Sequence, residues 1–228
     1  MTWYRCQNGN GGGGNTAEDY IYNVGSAAFN TGYTHTADTK IVFKAVLIDQ
    51  ANLAGSGFGC VFGARKDGST YNNAWGLMNR YDNQRKYAFY RSSWTYQGSV
   101  VGTQGATNTP FSGKICIFTA DGLIMSWYDV DNPSDVHSIN QTAGTVNAGI
   151  APLAIFASND TNTADGWTPR EVGGMRLYWF EIYENDILVH RFVPAYNNDQ
   201  YCLYDEIDEV YKYDQSGYSG LYVLGEIH

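Results

Sequence analysis

The stretch Lys114-Ile115-Cys116-Ile117-Phe118-Thr119-Ala120-Asp121-Gly122-Leu123-Ile124-Met125-Ser126-Trp127-Tyr128 reads as a β-hairpin. Two apolar runs flank an Asp-Gly pair, and such pairs supply the positive φ that a tight two-residue turn demands. Strands are predicted over residues 114–119 and 123–128. The same period of two extends outward to residues 41–48, 58–64, 74–80 and 86–92. A second hairpin is expected at Glu184-Asn185-Asp186, between strands at 175–183 and 187–193. No window holds a 3.6-residue stripe for more than two turns, and no repeat of 20 to 50 residues is visible. Short strands at this spacing predict an all-β jelly-roll sandwich of two antiparallel sheets over residues 19–228.

Composition agrees with sheets. Only 16% of the 228 residues are charged, against about 25% in ordinary soluble domains, while Tyr (19), Trp (6), Phe (10) and Gly (26) are plentiful. A chain this long buries roughly 70% of its unfolded surface, so neither metal nor disulfide is needed to hold its core. The formal charge of -9 repels phosphate backbones and anionic headgroups, which argues against nucleic acid and membrane surfaces as partners. The first residues lack the apolar run of a signal peptide, which leads to the expectation of a chain folded in a cytoplasm. Cys6, Cys60, Cys116 and Cys202 are then expected as reduced thiols, mostly small buried hydrophobes.

Residues 1–18 stand apart from the sandwich. Asn8 to Asn15, with Gly11 to Gly14 at its centre, cannot form a packed element alone because glycine loses too much backbone entropy. Trp3, Tyr4 and Cys6 are too apolar for a free leader, so this glycine-rich N-terminal arm is expected to anchor the jelly roll in a neighbouring subunit. A homotrimer would multiply the effect.

Motifs for catalysis are weak. Glu206-Ile207-Asp208-Glu209-Val210 approaches the E-x-D-x-E strand of jelly-roll glucanases, but Glu209 falls on the opposite side from Glu206 and Asp208. His35, His137, His190 and His228 have no elbow motif or zinc spacing around them. No catalytic residue and no obligatory cofactor is expected. Asp160, Asn162 and Asp165, within a loop that starts like an EF-hand but breaks its pattern at Ala164, form a candidate calcium site beside the plainer reading of Asx turns. The aromatic residues carry the stronger ligand signal. Arg65, Trp75, Asn79, Arg80, Tyr90 and Trp94 combine flat rings with hydrogen-bonding side chains, the chemistry of a glycan site, although core packing accounts for such rings equally well.

Met175-Arg176-Leu177-Tyr178-Trp179-Phe180-Glu181-Ile182-Tyr183-Glu184-Asn185, then Arg191-Phe192-Val193-Pro194-Ala195, Leu203-Tyr204-Asp205 and Val210-Tyr211 form an ordered set of motifs. Earlier, Tyr20-Ile21, Asn30-Thr31-Gly32-Tyr33 and Phe62-Gly63-Ala64-Arg65 fit the same set, so residues 19 to 223 are covered. The set resembles LamG-like domains of the concanavalin A superfamily, with Trp179 standing where a small polar residue is usual. The resemblance implies a concanavalin A-like jelly roll that binds rather than catalyses. With the arm, it leads to the expectation of a non-catalytic phage virion surface protein, whether capsid decoration, head fibre or tail appendage, made in the host cytoplasm. Its expected partners are other virion proteins, through the arm, and host or mucosal glycans. A bacterial lectin-like adhesion module is the alternative, and a jelly-roll glycoside hydrolase the third reading.

Overall fold

The computed structural model describes residues 20–24, 27–47, 58–65, 74–80, 86–91, 99–101, 111, 113–140, 146–161, 163, 166–170, 172–217 and 223–226. In chain order the strands are β1 (Tyr20–Val24), β2 (Phe29–Asn30), β3 (Thr39–Leu47), β4 (Phe58–Arg65), β5 (Trp75–Arg80), β6 (Lys86–Arg91), β7 (Ser99–Val101), β8 (Cys116–Asp121), β9 (Ile124–Asp129), β10 (His137–Asn140), β11 (Ala154–Ile155), β12 (Ser158–Asp160), β13 (Pro169–Arg170), β14 (Gly174–Glu184), β15 (Ile187–Asn197), β16 (Gln200–Asp205), β17 (Val210–Lys212) and β18 (Val223–Glu226). No helix occurs among the described residues.

The strands form a jelly-roll sandwich of two sheets. The larger runs β10-β9-β8-β3-β14-β15-β16-β17, with β1 added beside the first half of β14 and β18 beyond it. The smaller runs β13-β12-β4-β5-β6-β7, with β11 and β2 attached to β4. Pairing is antiparallel except at β12 and β4, where Asn159 lies parallel to Ala64. The expected jelly-roll sandwich of two sheets forms, with this parallel strand pair inside the smaller one.

Alternation decides which side chains meet between the sheets. On β3, Ile41, Phe43 and Ala45 point inward and are fully buried, while Lys40, Val42 and Lys44 face out. Phe43 stacks on Phe118 at 4.8 Å and on Phe180 at 5.7 Å within its own sheet, and meets Phe62 of the smaller sheet edge-on at 5.9 Å. Phe62 in turn meets Trp75 at 5.8 Å. These rings bridge the two layers and close the core at its centre.

Turn chemistry sets the registers. The first predicted hairpin forms, but Asp121 pairs with Ile124, so the turn residues are Gly122 and Leu123. Gly122 has φ 52° and Leu123 does not share the positive sign, which is the II′ pattern rather than the I′ pattern an Asp-Gly turn would take. Asn185 and Asp186 (φ 51° and 62°) turn β14 into β15, and Asn198 and Asp199 (φ 50° and 58°) turn β15 into β16, each with two consecutive positive values. Asn and Asp tolerate that region better than other side chains with a Cβ, so these tight turns hold the long C-terminal strands in register.

Candidate functional site

The outward positions of the larger sheet are unlike an ordinary solvated face. Across β1 and β14, Tyr22 is level with Arg176, and the Arg176 guanidinium lies 5.4 Å from the Tyr20 ring centre and 5.5 Å from that of Tyr22. Tyr20 packs against Tyr178 at 5.6 Å, and Lys44 Nζ sits over Tyr178 at 5.2 Å. A bulge between Leu177 and Trp179 brings Trp179 level with Lys44 on this face. Farther along, Lys40 lies over Tyr183, whose hydroxyl donates to Glu181 Oε2 at 2.7 Å. Burial contributes less to Tyr183 than this bond does, and together they push its phenol up to about 12.

The face continues onto β15, β16 and β17. Tyr204 is level with Tyr211, their rings 4.9 Å apart, and Tyr213 follows at 6.4 Å. Asn197 and Asn198 both donate their amide hydrogens to Tyr213 Oη, at 2.6 and 3.0 Å. Arg191 forms ion pairs with Glu206, Nε to Oε2 at 3.0 Å, and with Glu181, Nη1 to Oε1 at 3.4 Å. The result is a broad surface of half-exposed rings with hydrogen-bonding groups between them, and Tyr211 is its most open ring at 41% exposure. Flat rings offer C–H faces a stacking partner, and Asn, Arg and Glu offer hydroxyls both donors and acceptors.

Two other constellations lie near the end of the sandwich. His190 Nδ1 is 2.7 Å from Asp205 Oδ2 and 3.6 Å from Asp208 Oδ2. Asp205 is fully buried, and its Oδ1 accepts the backbone N–H groups of Arg191 and Ile207. The three side chains come close enough to hold a metal ion, but the 2.7 Å contact is the geometry of a hydrogen bond, and Asp205 is satisfied as the clamp of the β16 to β17 turn. That turn occupies residues 206–209, so its carboxylates do not share a strand face as a glucanase arrangement requires. Glu206 is engaged by Arg191 and Asp208 faces His190.

The second constellation pins the segment before β3. Glu184 accepts hydrogen bonds from Tyr33 Oη, Thr36 Oγ1 and Thr39 Oγ1. Burial alone would raise this carboxyl, but those bonds and the Arg91 charge hold it below its ordinary value. Burial and the same bond to Glu184 push Tyr33 up to about 12. Arg91 is fully buried, has its guanidinium carbon over the Trp75 ring 4.0 Å from the centre, and donates from Nη2 to Thr36 O at 2.7 Å.

His35 packs on the same Trp75 ring at 5.2 Å, buried, with no hydrogen-bond partner for either ring nitrogen among the described residues. Burial first, then the Arg91 charge, push its pKa from 6.5 down to about 3. Below pH 6.5 the unfolded chain therefore takes up a proton that the folded chain refuses. The contribution is fully present above that value and is lost as pH falls toward the folded one, by about 1.4 kcal/mol per pH unit. Urea titrations at pH 7, 6 and 5 are expected to show this decline in stability and His35→Gln to flatten it; an equal decline in the variant would assign the effect to other groups.

The structure separates the residues expected at a glycan site. Trp75 is level with Arg91 and Tyr90 with Gly76, so Trp75 and Tyr90 point to opposite faces of the smaller sheet. Trp75 is fully buried between Arg91, His35 and Phe62 and cannot stack on a sugar, which corrects its assignment as a ligand contact. Tyr90 is buried as well, packed with Cys60, Met78 and Ala88. Arg65 is mostly buried and bonds Asp160 Oδ2 at 2.9 Å, with Arg170 at 3.5 Å from the same oxygen. Two guanidinium groups against Asp160 oppose a cation there, and Asn162 and Asp165 lie outside the described residues. So do Trp94, the side chains of Asn79 and Arg80, and the whole arm with Trp3, Tyr4 and Cys6. Cys60, Cys116 and Cys202 are buried free thiols, and burial raises Cys116 and Cys202 to about 11.

The sequence reading missed the outer face of the larger sheet; alternation over residues 174–184, which separates Arg176 from the buried Met175 and Leu177, was the signal that could have found it. No family model matches the chain, and no curated protein does. Among solved structures it is similar to a variant of the NanB sialidase from Streptococcus pneumoniae, at 11% identity and TM-score 0.42, over 76% of this chain and 26% of the sialidase chain. NanB with Optactamide is similar at 10% identity and TM-score 0.37, over 72% and 26%. Scytalido-glutamic peptidase with a peptide-based transition-state analogue is similar at 12% identity and TM-score 0.34, over 80% and 89%. The chain thus spans 26% of the length of the sialidase chains it matches. The class is the one its two sheets define, an all-β sandwich.

Proposed function

We propose that this chain is a non-catalytic, concanavalin A-like carbohydrate-binding module of the LamG-like kind, displayed on a phage virion, and that the outer face of its larger sheet holds host or mucosal glycans. The observation that carries the reading is the run of half-exposed rings on that one face, from Tyr20 and Tyr178 to Tyr204 and Tyr211, interleaved with Asn, Arg and Glu side chains. Ring stacking with flanking hydrogen bonds is how proteins hold sugars whose two faces are apolar and whose edge is polar. Commitment of Glu206 to Arg191 and of Asp208 to His190 supports binding without turnover. Placement on a virion, with Trp3, Tyr4 and Cys6 as the anchor into other virion proteins, rests on the sequence resemblance and on the composition of the arm.

Tyr211→Ala is expected to weaken glycan binding by about 1 kcal/mol or more, roughly fivefold in affinity, because an exposed ring contributes to the ligand and little to the core. Glycan-array signals and titration calorimetry on the full chain read this directly. Unchanged binding in both Tyr211→Ala and Trp179→Ala, at an unchanged melting temperature, would remove the face from the account.

A further inference from the structure

The cations of the outer face are not alike. Lys40 is paired with Asp186, and Arg191 with Glu206 and Glu181. Arg176 is exposed and lies over the rings of Tyr20 and Tyr22, and among the residues whose side chains are described no carboxylate forms an ion pair with it. Lys44 stands on the other side of the Tyr20–Tyr178 pair, over Tyr178. Two cations therefore flank one pair of rings in tilted contact, on a chain whose formal charge is -9.

We infer that Arg176, with Lys44, is an acid-recognising subsite, and that the saccharide held on this face carries carboxylate or sulfate groups. The inference rests on the glycan reading of the same face and names its ligand class. A guanidinium has five donors, no acceptor and a planar fork that fits a carboxylate or sulfate by two parallel bonds. A neutral sugar would leave most of those donors to water. Tyr20 and Tyr22 hold the guanidinium by cation–π contact, which offers it no carboxylate acceptor and so leaves N–H donors for an anion, and the Tyr178 ring supplies a stacking partner beside it. The chain's formal charge of -9 disfavours an anionic ligand in general, so local cations are what an acidic saccharide needs in order to be held here.

The test uses the full chain on oligosaccharides in matched pairs: uronic-acid oligomers against their carboxyl-reduced forms, and sulfated oligomers against their desulfated forms. The acidic member of at least one pair is expected to bind about tenfold more tightly or better, with affinity falling as salt rises. Arg176→Gln is expected to abolish that preference, bringing the acidic member of a pair down to the affinity of its neutral partner, at an unchanged melting temperature since the side chain is exposed. Arg176→Lys should keep part of the preference. Equal binding of the paired oligomers would overturn the acidic-ligand inference and leave the glycan reading standing. A preference that survives Arg176→Gln would overturn the subsite. Binding of no member of any pair would overturn both readings.

Discussion

Phe43→Ala is expected to lower folding stability by about 3–5 kcal/mol, the range found when a buried Phe is cut to Ala. The side chain is fully buried and touches the rings of Phe118 and Phe180 in its own sheet and of Phe62 across the sandwich. Its removal takes apolar area from the core and leaves a cavity that neighbouring rings, fixed on different strands, cannot collapse to fill. Urea unfolding followed by tryptophan fluorescence should show a fall in midpoint at constant slope. Phe43→Leu, which keeps most of the volume, should cost about 1.5 kcal/mol or less. Equal losses for the two variants would place the packing centre elsewhere.

Asp205→Ala carries the second large effect, about 2–4 kcal/mol. The carboxylate is fully buried and accepts from His190 Nδ1 and from the backbone N–H groups of Arg191 and Ile207. Truncation leaves three donors without their acceptor at one spot, and each unsatisfied buried group costs on the order of 1–3 kcal/mol before water or rearrangement offsets it. Asp205→Asn keeps one acceptor and should lose less. Hydrogen exchange at the Ile207 amide is the local readout: it should quicken in the alanine variant. Unchanged protection and stability would mean that the turn of residues 206–209 holds without its clamp.

Much of the fold was legible because alternation is a local property. The strands around Phe43, Phe118 and Ile182 announce themselves by period two, and both predicted hairpins form. What alternation cannot give is the partner of each face. Trp75 and Tyr90 lie fifteen residues apart on neighbouring strands, and only the register, Trp75 to Arg91, shows that they face opposite ways. A glycan site built from both was therefore unreadable without the pairing. The His190 and Asp205 contact, the Glu184 cluster and the burial of Arg91 depend on residues brought together from distant strands and loops, and no spacing signals them. Short strands such as β11 and β13 leave too few residues for any period to emerge.

Hydroxyl-radical footprinting of the full chain, with and without a bound oligosaccharide, tests the central claim most directly. The account predicts that ligand lowers oxidation of Tyr20, Tyr22, Tyr178, Trp179, Tyr204 and Tyr211, while Trp75, Tyr87 and Tyr90, buried already, stay unreactive in both states. Undiminished oxidation of the larger sheet's outer rings, with protection confined to the smaller sheet or its loops, would contradict it.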